Sequence, residues 1–169
     1  MIKYTLPVKK EWKIMMYASG TEFVKDFVTR TKENYAMLKN GPYEVTQLIN
    51  SAIGLLFIPK ENMHITDDLV DAALLKQMIG CVKNNTYPET LNLYQLIRHL
   101  RNGIAHDRME FKAAKPNINN RPLIIEKIII RDKDNKNNCS FEIELTVDLL
   151  EKFFIGFSDG VIKYFDTHK

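Results

Sequence analysis

Arg101, Asn102 and His106 stand together in the run Leu96-Ile97-Arg98-His99-Leu100-Arg101-Asn102-Gly103-Ile104-Ala105-His106-Asp107-Arg108. Arginine offers phosphate a planar fork of donors, and histidine moves a proton near neutral pH. Those two types are a minimal kit for cleaving RNA without a metal. Asn102 and His106, four residues apart, share one face of a helix. Arg101 lies about 140° from His106 around an ideal helix, so it must reach over with its long side chain or the helix must distort. Gly103 permits distortion, or the close approach of a neighbouring backbone, at a cost of ~1 kcal/mol in helix stability relative to alanine. The competing reading is a surface helix whose Arg and His only complement the dipole at its C-terminus.

His99, seven residues before His106, lies nearly on the same face and raises the question of a metal pair. Glu110, four residues after His106, is the only near candidate for a further ligand, so no metal site is expected. No Gly-rich phosphate loop or nucleophile elbow occurs, and no cofactor is expected.

The elements that must position these residues are helical first and β later. Phe23, Val24, Phe27, Val28, Tyr35 and Leu38 keep helical spacing from Thr21 to Leu38, and Asn40-Gly41-Pro42 stops that helix. Val45, Leu48, Ile49, Ala52, Ile53 and Leu56 repeat the pattern from Tyr43 to Ile58, ending at Pro59. Thr66 or Asp67 caps a third helix carrying Leu69, Val70, Ala73, Leu74, Met78 and Val82. After the loop Asn84–Pro88, a fourth, capped near Thr90, carries Leu91, Tyr94, Ile97 and Leu100. Then the grammar changes. Leu123–Ile125 and Ile128–Ile130 form a β-branched run, and from Cys139 to Val147 every odd position is apolar. Arg131–Asn138 reads as the polar turn of a β-hairpin between them. Asp148 caps a last segment with Leu149, Leu150, Phe153, Phe154, Phe157, Val161 and Phe165, its continuity in doubt at Gly156 and Gly160. The expected fold is mainly α, an antiparallel bundle of four to five helices with a C-terminal β-hairpin appendage. One domain over 1–169 is expected, with the bundle at about 20–112, the hairpin at about 122–147 and the last helix at about 148–166. Hairpin and last helix are expected to be structural, away from the basic face.

At 169 residues with a net charge of +3, the chain lacks the footprint of a constitutive nucleic-acid binder. The distribution says more. Arg98, Arg101, Arg108, Lys112 and Lys115 face only Asp107 and Glu110 across that stretch, and residues 1–13 form a second basic segment with Tyr4 and Trp12 among four lysines. A solvated charged face is the plainer explanation of either cluster. No stretch has the ~18 apolar residues of a membrane span, and the segment after the N-terminal lysines is too short for a signal-peptide core. Cys81 and Cys139, without metal-type spacing, read as free thiols of a cytoplasmic protein.

At these residues the chain resembles the HEPN superfamily (higher eukaryotes and prokaryotes nucleotide-binding domains). Its hallmark is arginine, a polar residue, three further residues and histidine, here Arg101-Asn102-Gly103-Ile104-Ala105-His106. Tyr94–Leu100 resembles the approach to that motif, and Leu48–Leu56 an earlier bundle helix of some prokaryotic members. The resemblance covers about residues 20–112. It implies a metal-independent endoribonuclease acting as a toxin or antiviral effector, which leaves a 2′,3′-cyclic phosphate and a 5′-hydroxyl. Arg101 would stabilise the scissile phosphate, His106 would move protons and Asn102 would orient either of them. Arg98, His99, Arg108 and Lys112 are the further candidates for holding RNA. The resemblance also implies a homodimer through the motif helix and an antitoxin protein as partner. Other members imply the alternative, a non-catalytic nucleotide- or protein-binding subunit.

Overall fold

A computed structural model describes residues 20–38, 43–113 and 124–168. The basic segment 1–13, Lys115 and Leu123 lie outside the described residues. The chain is mainly α. Helix α1 (Gly20–Leu38) is followed by α2 (Glu44–Ala52), a π-turn (Ile53–Phe57) and α3 (Ile58–Asn62). Pro59 was expected to end this stretch. Instead the Ile58 N–H reaches back to the Ile53 carbonyl, and Pro59 falls in the first turn of α3, where its missing N–H is no loss.

The third helix is shorter than its apolar spacing predicts. Asp67–Leu69 form a single 3₁₀ turn and Val70 is extended. Helix α4 (Ala72–Gly80) begins where the Asp71 carboxylate accepts the Ala73 and Leu74 N–H groups, each at 3.0 Å. Asp67 serves another helix, accepting the Leu93 N–H of α5 (Leu93–Ala105) at 2.8 Å. Asn92, not Thr90, caps α5 by accepting the Gln95 N–H at 2.9 Å.

The β part is larger than a hairpin. Strands β1 (Val82–Asn85), β2 (Met109–Ala113), β3 (Ile125–Asp134) and β4 (Cys139–Thr146) make one antiparallel sheet in the order β1-β4-β3-β2. Ile130 pairs with Ile143 and Asp132 with Phe141, so Ile128, Ile130 and Asp132 share the buried face with Phe141, Ile143 and Leu145. The other face is a lattice of charges. Glu144 accepts from Lys127 at 2.8 Å and Lys112 at 2.9 Å, and Arg131 bridges Glu142 and Glu110. These long side chains leave Ile129 only 4 % exposed.

Helix α6 (Val147–Thr167) runs unbroken, capped by the Thr146 hydroxyl rather than by Asp148. It is no appendage. Leu149, Leu150, Phe153, Phe154, Phe157, Val161 and Phe165 are all buried, and the helix touches α1, α2, α4, β3 and β4. Gly160 lies against the 3₁₀ turn, where a Cβ would overlap the Leu69 carbonyl oxygen. Among the described residues no helix is long and apolar enough to cross a membrane.

Candidate active site

Helix α5 carries the motif and lays Leu93, Leu96, Ile97, Leu100 and Gly103 against the core. The helix stays α-helical through Ala105, so Gly103 is not a distortion. It is a close approach: a Cβ there would overlap the Ile130 side chain and stand 2.8 Å from the Arg131 carbonyl oxygen. The helix therefore sits directly on β3. It ends in a Schellman motif, with the Arg108 N–H on the Gly103 carbonyl at 2.8 Å and the Asp107 N–H on the Ile104 carbonyl at 3.2 Å. Asp107 takes the left-handed conformation (φ 52°) that this closure requires. Backbone groups thus finish the helix. The reversal sends the chain into β2 and leaves the Arg108 side chain beside His106.

His106 is exposed, and its side chain makes no hydrogen bond or ion pair among the described residues. With Asn102, Arg98 and Arg108 it lines a cleft of about 370 Å³, closed on the far side by Tyr87, Asp132, Lys133, Asp134, Asn135 and Lys136. The strand end and turn of the hairpin therefore form a wall of this cleft. The expectation that they pack away from it is corrected, because β3 extends through Asp134 and carries the turn past the end of α5. Lys133 and Lys136 add positive charge opposite Arg98 and Arg108, with the Asp134 carboxylate acting on Lys136. Arg98 donates to Gln95 at 3.0 Å, and its guanidinium lies 5.6 Å from the Tyr87 ring centre.

Arg101 does not line the cleft. Its guanidinium lies 5.9 Å from the Phe57 ring centre, with Nη2 3.5 Å from Glu61, and Nε is enclosed without a partner. Nη1 donates to the Asn102 Oδ1 at 3.2 Å, which ties Arg101 to the cleft through its sequence neighbour.

His99 is corrected from a surface candidate to a core residue. It is 1 % exposed, stacked on Phe141 at 4.4 Å and tilted against Tyr87 at 4.5 Å. Burial pushes its pKa below the usual histidine value, and the bond to Asp132 opposes this only in part. Lys112 is likewise elsewhere, on the opposite face of the sheet and held by Glu144. Burial and the adjacent Asp132 carboxylate push the Tyr87 hydroxyl up to about 12.

Asp132 was missed, read as part of a polar turn. It is 3 % exposed, and its Oδ2 accepts from His99 Nδ1 at 2.9 Å and Asn102 Nδ2 at 3.1 Å. The signal that would have found it is the β-strand period, since Ile128, Ile130 and Asp132 alternate onto one face.

The run of arginine, asparagine, three further residues and histidine that closes α5 is the hallmark on which the resemblance to the HEPN superfamily rests. The model of the HEPN pEK499 p136 family matches residues 4–168, and the chain belongs to that family. No curated protein and no solved structure matches it.

Proposed function

We propose that the chain is a metal-independent endoribonuclease of HEPN type, serving as a toxin or antiviral effector. The observation that carries this reading is the exposed His106 imidazole, without a hydrogen-bond partner among the described residues, beside Asn102 in a cleft walled by Arg98, Arg108, Lys133 and Lys136. The cations hold the RNA backbone, and His106 takes the proton from a ribose 2′-hydroxyl. The 2′-oxygen attacks phosphorus, the bond to the 5′-oxygen breaks and that oxygen is protonated. The products are a 2′,3′-cyclic phosphate and a 5′-hydroxyl. Arg101, on the flank of α5 outside the cleft, acts on the site through its hydrogen bond to the Asn102 Oδ1. One imidazole serves as base or acid in a concerted step, not as both. A homodimer through α5 would bring a second His106 to the same phosphate.

Purified protein in EDTA is expected to cut RNA and to run as a dimer in light scattering at tens of micromolar. His106→Ala and Arg101→Ala should each abolish cutting. Cleavage that needs a divalent metal, or that survives His106→Ala, overturns the assignment, and a cleaving monomer overturns the dimer. A second reading, a non-catalytic nucleotide- or protein-binding subunit, is favoured by one observation: Arg101 is engaged by Glu61 and Asn102 outside the cleft. RNA bound with no products under any condition would select it. A nucleotidyltransferase or other antitoxin encoded beside the gene would favour the toxin role.

A further inference from the structure

An ionised carboxylate is costly to bury unless hydrogen-bond donors and opposite charge surround it. Asp132, 3 % exposed, is such a group, and it meets α5 at the level of the motif. Four donors converge on it, the Tyr87 hydroxyl among them. His99 Nδ1 and Asn102 Nδ2 reach Oδ2 at 2.9 and 3.1 Å, and Arg108 Nη1 stands 3.5 Å from Oδ1 while donating to the Lys133 carbonyl at 3.2 Å.

The chemistry of the donors fixes their orientations. A carboxylate only accepts, so the His99 proton sits on Nδ1. Burial keeps that ring neutral, which leaves Arg108 as the cation that balances Asp132. The Asn102 carboxamide must turn its NH₂ end to Asp132, and its oxygen then faces Arg101 Nη1 at 3.2 Å. Reversing that amide would set two acceptors against each other at one end and two donors at the other.

We infer that Asp132 is a positioning residue of the cleft: from β3 it fixes the Asn102 carboxamide with its oxygen toward Arg101, and it holds Arg108 at the cleft mouth. The inference rests on the reading of the cleft as the site of RNA cleavage. A bland alternative is that Asp132 only braces α5 against the sheet.

The test compares the wild type with Asp132→Asn, which keeps the shape and loses the charge, with Asn102→Ala and with the double variant. Folding is followed by thermal melting and RNA cleavage by kcat and KM separately. Asp132→Asn is expected to lower kcat at least tenfold with KM changed less than about threefold. Acting through Asn102, its loss should be strongly non-additive with Asn102→Ala. An unchanged kcat in a folded Asp132→Asn protein, or strictly additive losses, overturns the inference. A second readout needs neither activity nor a variant: the Asn102 side-chain NH₂ protons in nuclear magnetic resonance spectra of the wild type. Slow exchange of those protons with solvent supports the anchor, and exchange as fast as that of an exposed carboxamide overturns it, even if Asp132→Asn fails to fold. If the wild type cuts no RNA, the ribonuclease reading fails while the resonances still decide the role of Asp132.

Discussion

His99 and His106 stand seven residues apart on one helix and meet opposite surroundings. His106 is exposed and its side chain makes no hydrogen bond or ion pair among the described residues, so His106→Ala should change stability by no more than about 0.5 kcal/mol. Its cleavage rate should fall by ~10² to 10⁴, the usual loss for one positioned proton carrier. His99→Ala should do the reverse. It empties a ring-sized space between Tyr87 and Phe141 and strips one donor from a buried carboxylate, costing about 2–4 kcal/mol. Urea unfolding and cleavage assays on both variants separate the two roles, and equal melting losses would contradict them. His99 also gives stability a pH dependence with a definite sign. Its folded pKa lies below the 6.5 of a free histidine, so on acidification the unfolded chain takes the proton first. The contribution is complete above about pH 6.5 and is lost as pH falls below it. The urea midpoint should drop between pH 7 and 5, and drop less in His99→Gln.

At the scale of elements, α5 presses on β3 through Gly103. Alanine there gains ~1 kcal/mol of helix propensity but drives a methyl into Ile130 and the Arg131 carbonyl. Gly103→Ala should therefore destabilise, by about 1–3 kcal/mol net, measured by denaturant titration. The hairpin turn makes a separate forecast. Lys136→Ala should weaken RNA binding about equally for all sequences and lower the salt slope by about 1, if Lys136 meets a phosphate. The main helices and the two long strands were legible because their apolar residues repeat at 3.6 or at 2. The strand β1 was not, since Val82-Lys83-Asn84-Asn85 carries no such period and becomes a strand only by pairing with β4; in β2 Met109, Phe111 and Ala113 do alternate with Glu110 and Lys112, but over only five residues directly behind the motif. The π-turn was hidden for a related reason: Pro59 looks like a stop unless the preceding turn is wider by one residue. In the motif, sequence spacing correctly put Asn102 and His106 together and Arg101 apart. It could not show that His99, polar by type, faces inward, because the partner that permits its burial is Asp132, 33 residues away.

Across the whole molecule, the helix read as an extension is the pillar. Helix α6 supplies Phe153, Phe154 and Phe157 to the centre of the core and touches elements on both sides of the motif in sequence. This gives the molecule a timetable. A ribosome makes the motif first, the cleft wall about 30 residues later and the pillar after both. A nascent chain that has passed Ala113 holds Arg101, Asn102 and His106 and yet has no Asp132, no Lys133 or Lys136, and no surface to cover Gly103 and His99. A fragment ending at residue 113 should accordingly be unfolded by circular dichroism, protease-sensitive and inert toward RNA. The full chain should acquire protection and activity together. If the chain cuts RNA as proposed, such an order would delay that activity until the pillar has been made.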